Sequence, residues 1–533
     1  MTDRPRQSPE LARRDLLRGG ALLLVAPAGV LSGCAKEEAP EVAPKPNAFL
    51  HGVASGDPLP DAVILWTRVT LPGEGKLVVK WELADDVTMA RVVASGEVTT
   101  DAERDFTVKV DARGLTAGRT YFYRFESRGV VSPIGRTRTA PSGATPRLRL
   151  AVVSCASMAH GYFHGYRALA ERLDLDAVLH LGDYIYEYAN EDYGAVRSYE
   201  PPHETLSLAD YRARHGHYKL DADLQAVHRQ HPFIAVWDDH EIANDAYKDG
   251  AQNHTESVEG AWVDRKAGAK RAYREWMPIR EEADGHVYRK LAFGDLADLV
   301  MLDTRHWGRT KQAGGAVGAV PDPDPSRTLL GDDQAAWMED TLKKSTAKWK
   351  LVGQQVMLGN LILAPGQIAN LDQWHGYPES RTRLLSFLKD SAIANVVVLT
   401  GDIHSSWANE IVTNPEDPNA YDPATSRGSL AVEFVAPGIT SPGIPPQLLP
   451  LVQSARPRNP HIRWFDTTKR GFVILDVTPE RVQAAWFHFE AIDKPEPTAP
   501  TFAAAWAVPS GQTRLVEEAA AAADRPDAPP AAK

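Results

Sequence analysis

The sequence predicts an α/β protein: a layered domain of buried strands and flanking helices, preceded by a small all-β module. Two textures and one coincidence predict it. Over residues 48–140, short β-rich runs such as "AVILWTRV", "LVVKWELA", "FTVKVD" and "TYFYRFES" alternate with turn segments such as "LPGEGK" and "DARGLTAGRT". Aromatic and branched residues at period two, punctuated by Gly and Pro, make the strands of a small antiparallel sandwich. After Arg147 the runs become continuous and apolar, "LRLAVVS", "LDAVLHL", "PFIAVW", "DLVMLD", "WKLVGQQVML" and "ANVVVLT". Helical stretches such as "GYRALAERL" and "RTRLLSFLKD" separate several of them, as in sheets buried on both faces. The coincidence is that four of these runs end in residues with metal-ligand chemistry.

Each segment has its own reason. In residues 1–34, Arg13 and Arg14 form a twin-arginine pair, an apolar run covers 21–31, and Ser32 and Gly33 precede Cys34, as in a cleavable export signal. The run is too short, and too interrupted by Pro27 and Gly29, to span a bilayer permanently. "LSGC" resembles a bacterial lipobox, which implies a lipid on Cys34. The expectation is a protein carried out by the twin-arginine export machinery and held at a membrane, periplasmic or extracellular. Residues 35–47, rich in Pro, Ala and Glu, are a tether. Within 48–140, "GLTAGRTYFYRF" resembles the final hairpin of an immunoglobulin or fibronectin type III module. Residues 147–510 are expected to form the layered α/β domain, and 516–533, an alanine tract with prolines, to be disordered.

The chain has 533 residues, enough for two or more domains, and its 43% hydrophobic and 24% charged content is that of a soluble globular protein. A formal net charge of −11 without a long basic stripe argues against a nucleic acid polymer as partner. A small phosphate ester stays open, because a bound cation reverses the local field whatever the global charge.

Chemistry collects at the strand ends. Cys155 follows "RLAVVS", Asp183 and Tyr186 lie in "HLGDYIYE", Asp238, Asp239, His240 and Glu241 follow "FIAVW", and Asp402 and His404 lie in "LTGDIHS". Ligands in open α/β sheets gather outside the carboxyl ends of strands, so these distant segments converge on one crevice. Asp183 and Tyr186, at i and i+3, share a side if the chain turns helically. Asp402 and His404, at i and i+2, share a face if it runs extended. Gly182 and Gly401 precede the two aspartates where backbone must approach closely. Cys155, alone in an exported protein, has no disulfide partner once Cys34 is taken by the signal. Asp238 is the weaker member of its pair, since alternation turns only one of two adjacent strand residues toward an ion.

These motifs resemble the metallophosphoesterases, and within them the alkaline phosphatase D family of exported bacterial phosphatases and phosphodiesterases. "SC", "LGDYIYE", "YKLDADLQAVHRQHPFIAVWDDHE", "LDTR" and "TGDIHS" occur in order, with "WDDHE" and "GDIH" in that family's form of the superfamily elements. The resemblance implies a layered α/β/β/α sandwich and hydrolysis of phosphate mono- or diesters by a metal-activated water. It places Cys155, Asp183, Tyr186 and His404 around Fe3+, with Asp183 shared toward Ca2+, and Asp239 and Asp402 on the Ca2+ side. Thiolate and phenolate suit a trivalent ion and carboxylates suit calcium, in agreement. Asn244 and Asp245 follow closely enough to add oxygens. The resemblance makes Asp239 and His240 catalytic, His240 as the phosphate-contacting, proton-managing histidine. A departure is "WHGYPESR", where His375 replaces an acid, an exchange expected to alter the rim of the site, the leaving-group interaction or an additional calcium contact. Two alternatives are a phospholipase D-like phosphodiesterase and a lipid-anchored binding protein without catalysis.

Overall fold

The computed structural model describes residues 47–71, 75–313, 318–321, 323–526 and 528–532. Arg13, Arg14, Cys34 and all of the tether but residue 47 lie outside the described residues. In chain order the strands of the first part are β1 Val53–Gly56, β2 Ala62–Arg68, β3 Leu77–Ala84, β4 Val92–Thr100, β5 Thr107–Arg113, β6 Thr120–Ser127, β7 Val130–Val131 and β8 Gly135–Arg138. Then come β9 Leu148–Val153, β10 Ala177–His180, β11 Pro232–Ala235, β12 Arg289–Phe293, β13 Ala297–Met301, β14 Trp349–Gln354, β15 Ile362–Ala364 and β16 Gln367–Ile368. The last are β17 Val396–Thr400, β18 Ser406–Ile411, β19 Ala431–Val435, β20 Ile462–Asp466, β21 Arg470–Val477, β22 Arg481–Phe489, β23 Thr501–Pro509 and β24 Val516–Glu518.

Two large sheets carry the domain. One runs β24-β23-β22-β21-β9-β10-β11-β1-β2-β5, the other β12-β13-β14-β17-β19-β18-β20. The four strands β9, β10, β11 and β1 are mutually parallel, as are β13, β14, β17 and β19. Alternation sets the layers. In β9, Leu150 and Val152 enter the core between the sheets, with Leu299, Leu351, Val397 and Phe434 from the other sheet. Ala151 and Val153 face the opposite way, onto Tyr166, Leu169, Leu224 and Tyr273 of the helices His164–Glu171, Ala222–Gln230 and Trp262–Trp276. Likewise Val300, Val352 and Val398 meet Met338, Leu342, Leu384 and Leu388 of Gly331–Lys344 and Pro378–Ser391. Helix, sheet, sheet, helix results, each fully buried Val or Leu contributing about 1.5–3 kcal/mol.

Two expectations change. The β-rich module is a sandwich, but only β3, β4, β6, β7 and β8 form a sheet of their own. Its other half, β1, β2 and β5, continues the first large sheet, because Ser55 and Gly56 pair in parallel with Pro232 and Phe233. Val63, Leu65 and Val108 pack across onto Val79, Leu83 and Phe125. The tail from 516, expected to be disordered, begins with β24 on β23 and then follows the domain. Its backbone supplies acceptors: the Ala520 carbonyl takes Gln483 Nε2 at 2.9 Å and the Ala523 carbonyl takes the buried Arg149 Nη2 at 2.7 Å. No helix among the described residues is long and apolar enough to cross a membrane.

Candidate active site

The four chemistry-bearing segments do meet. Cys155 lies just past β9, Asp183 and Tyr186 past β10, Asp238 to Glu241 past β11, and Asp402 and His404 past β17. Close approach depends on two glycines. A Cβ on Gly182 would stand 2.3 Å from Asp238 Cβ, and one on Gly401 2.8 Å from Ser154 Cβ. Both glycines act as the sequence suggested. Local conformation differs, however: Cys155, Asp183, Asp402 and His404 all have left-handed backbone, at φ 59°, 55°, 62° and 52°. Asp183 therefore does not start a helical turn, and Asp402 and His404 do not lie on an extended segment. Non-glycine residues in this region are strained and persist where surroundings over-determine them.

The donor atoms fall into three linked groups, within each of which they lie no more than 4.8 Å apart: Cys155, Asp183 and His404; Asp183, Asp239 and His240; Asp238, Asp239 and Asp402. Asp183 and Asp239 are the shared members. Tyr186 belongs with the first group, its hydroxyl donating to Asp183 Oδ2 at 3.0 Å and lying 3.3 Å from His404 Nε2. Asp402 and His404 thus face different groups rather than one point, since the left-handed turns rotate their side chains apart. Asp238 is fully buried and takes part alongside Asp239.

Hydrogen bonds fix these donors. His404 Nδ1 donates to the Pro442 carbonyl at 2.8 Å, leaving Nε2 free to face the first group. His240 Nδ1 lies 2.7 Å from Glu187 Oε2, and its ring stacks on Tyr186. Ser441 Oγ donates to the Cys155 carbonyl at 2.9 Å and lies 2.6 Å from the Tyr186 hydroxyl. Glu241 gathers two loops by accepting from the backbone N–H groups of Asp183 at 3.1 Å, Tyr184 at 2.6 Å and Asp238 at 2.7 Å. Asp239 accepts from the Asp245 N–H at 2.6 Å.

Sequence reasoning missed the cation. Arg305, fully buried, pairs with Asp238, with Asp372 at 2.8 Å and with Asp402 at 2.6 Å, and stands 3.6 Å from Asp239. Its signal was the "LDTR" motif after β13, matched but given no role. Glu187 and Asp372 were missed as well, and Glu241, seen in "DDHE", had been given no role of its own. The electrostatic neighbours of His375 are Arg381 and His461.

The electrostatics are those of anions crowded away from water. Burial pushes the Cys155 thiol and the Tyr186 phenol up, and the Asp183 charge adds to both. Burial likewise raises Asp238, and raises Asp402 to about 6, Asp245 to about 7 and Glu241 to about 8, each with a neighbouring carboxylate adding to the rise. Against burial, Arg305 and His240 hold Asp239 below the usual carboxylate range. Against burial too, Glu187, Asp239 and Asp183 keep His240 protonated above its ordinary range. Such a donor set fits cations: sulfur, imidazole, phenol and carboxylate at one end, carboxylates alone at the other.

The comparisons with known proteins agree. The profile of the PhoD-like phosphatase family matches residues 150–486, and that of the PhoD-like phosphatase N-terminal domain matches 33–141. Alkaline phosphatase D of Bacillus subtilis (strain 168) is 38% identical over 459 residues, 82% of this chain and 76% of the relative. A solved structure described as "Structure of PhoD" superposes with a TM-score of 0.81 at 34% identity, covering 89% of this chain and 93% of the other. Likeness of this extent, with the strand-end cluster inside it, makes the protein a phosphoric ester hydrolase. It belongs to the PhoD-like phosphatase family.

Proposed function

We propose that the protein hydrolyses phosphate esters with Fe3+ held by Cys155, Asp183, Tyr186 and His404, and Ca2+ held on the side of Asp239 and Asp402 with Asp183 shared. The sorting of donor types along one chain of linked groups carries this reading. Bound there, the two cations would supply a water of lowered pKa and neutralise phosphoryl charge. The chain's own residues do the rest. His240, kept protonated by Glu187, reaches the edge of the middle group and donates a proton to a phosphoryl or leaving oxygen. Arg305 orients the Asp238 and Asp402 carboxylates. Asp239 stays ionised and accepts from the loop that follows it.

Metal analysis of protein purified from its own host is expected to give iron with calcium, and a visible absorption from phenolate on ferric iron that Tyr186→Phe removes. Full activity with zinc alone overturns the assignment. We also propose export by the twin-arginine route and a lipid on Cys34, supported by the "ARRD" and "LSGC" sequences. Arg13→Lys with Arg14→Lys is expected to keep the protein inside, and Cys34→Ala to release it from membranes or block its processing. A Cys34→Ala protein that fractionates and migrates like the parent defeats the lipid assignment.

A further inference from the structure

Beside the acidic cluster lies a cavity of about 370 Å³ whose lining differs in kind. Leu363 on the β15–β16 hairpin, Leu371, Ile403, Ile444, Leu448 and Val452 are among its walls. Among the described residues the lining holds no charged and no aromatic side chain, and its one polar side chain is the exposed Asn370. Its apolar walls rest on the buried Met357, Trp407 and Val435.

What ties the cavity to the chemistry is chain continuity at three places. Ile403 sits between Asp402 and His404, one residue from a donor on either side. Leu371 precedes Asp372, the partner of Arg305 and Arg309. Ile444 follows by two residues Pro442, whose carbonyl fixes His404. Consecutive Cα atoms are about 3.8 Å apart, so each segment spans from the cluster to the cavity wall within a residue or two. Leu363, Ile403, Ile444 and Leu448 are left only partly covered, whereas a core formed for stability alone closes such space.

We propose that this cavity receives an alkyl arm borne by the phosphoryl group of the substrate, so that the enzyme prefers a phosphodiester carrying one short aliphatic chain. The inference rests on phosphate ester hydrolysis at the cluster. Branched aliphatic walls without aromatic rings suit a saturated chain, and the volume, at the small end of the range for ligand pockets, suits one chain rather than two. The reaction is unchanged: water oxygen bonds to phosphorus, the P–O bond to the leaving group breaks, and the alkyl ester bond stays intact.

A series of p-nitrophenyl alkyl phosphates, methyl to octyl, each kept monomeric, tests this with the metal-loaded protein. The expected kcat/KM rises about three- to fourfold per methylene until the cavity is full. Leu448→Asp is expected to flatten that slope, and Leu448→Met, which conserves volume, to keep it. Equal kcat/KM on methyl and octyl esters overturns the proposal and leaves the hydrolase reading standing. Faster turnover of phosphatidylcholine vesicles than of the monomeric octyl ester also overturns it, in favour of a two-chain lipid. Binding of octylphosphonate against methylphosphonate reads the cavity without turnover. A preference of at least about a hundredfold for octyl supports the proposal even if no ester is cleaved, and equal affinities reject it.

Discussion

Asp183→Asn is expected to lower kcat/KM at least about a thousandfold while the protein stays folded. Asp183 is the member common to two donor groups, so its charge serves both ends of the site. Its carboxylate also accepts from the Tyr186 hydroxyl and, at 3.4 Å, from the His240 backbone N–H. Asparagine has the same shape and tolerates the left-handed conformation at φ 55°, so backbone strain does not change. What changes is one buried negative charge. That charge crowds four buried acidic groups, Cys155, Tyr186, Asp238 and Glu241, and favours one protonated partner, His240, so with no cation bound its removal relieves more crowding than the attraction it gives up. Metal-free Asp183→Asn should therefore melt at or above the temperature of the metal-free parent, although its activity collapses. Retention of more than a tenth of parental kcat/KM places the reaction elsewhere, and a lower melting temperature means that Asp183 serves the fold.

Much of this arrangement was written in the order of residues, for identifiable reasons. Strands buried on both faces read as near-continuous apolar runs, so "LRLAVV", broken only by the ion-paired Arg149, and "VVVLT" announced β9 and β17 without any partner in view. Gly182 and Gly401 marked backbone crowding, which is a local requirement. Strand partnership is not local. Nothing in the alternation of β1, β2 and β5 says that they extend the large sheet rather than close a separate sandwich, because a strand's period fixes its faces and not its neighbours. The left-handed turns at Cys155, Asp183, Asp402 and His404 were equally hidden, since none of these residues prefers that region as glycine does. Hence the wrong rotation inferred for the pair Asp402 and His404. Arg305 stayed silent because its value comes from four aspartates on three other segments, a sum that exists only after folding.

Cys155 offers the clearest separation between ligand and packing residue. It is fully buried, its thiol contacts Ser154 Oγ at 3.2 Å, and among the described residues it is the free cysteine. A thiol that only packed would be replaced by serine or alanine at about 1 kcal/mol of stability, with little effect on turnover. Both substitutes carry a Cβ, so the cost of the left-handed φ of 59° is the same in each and cancels from the comparison. Any difference then reports the sulfur. With Cys155 as a donor beside Asp183 and His404, Cys155→Ala and Cys155→Ser are both expected to lose most of the iron and at least about a hundredfold in kcat/KM. Calcium bound on the side of Asp239 and Asp402 should largely remain, because neither of those residues shares a donor group with Cys155. His404→Ala is expected to give the same iron-poor, calcium-retaining protein, although it lies 249 residues further along the chain. Should Cys155→Ala keep parental iron content and turnover, the thiol is a core residue and the ferric assignment falls with it.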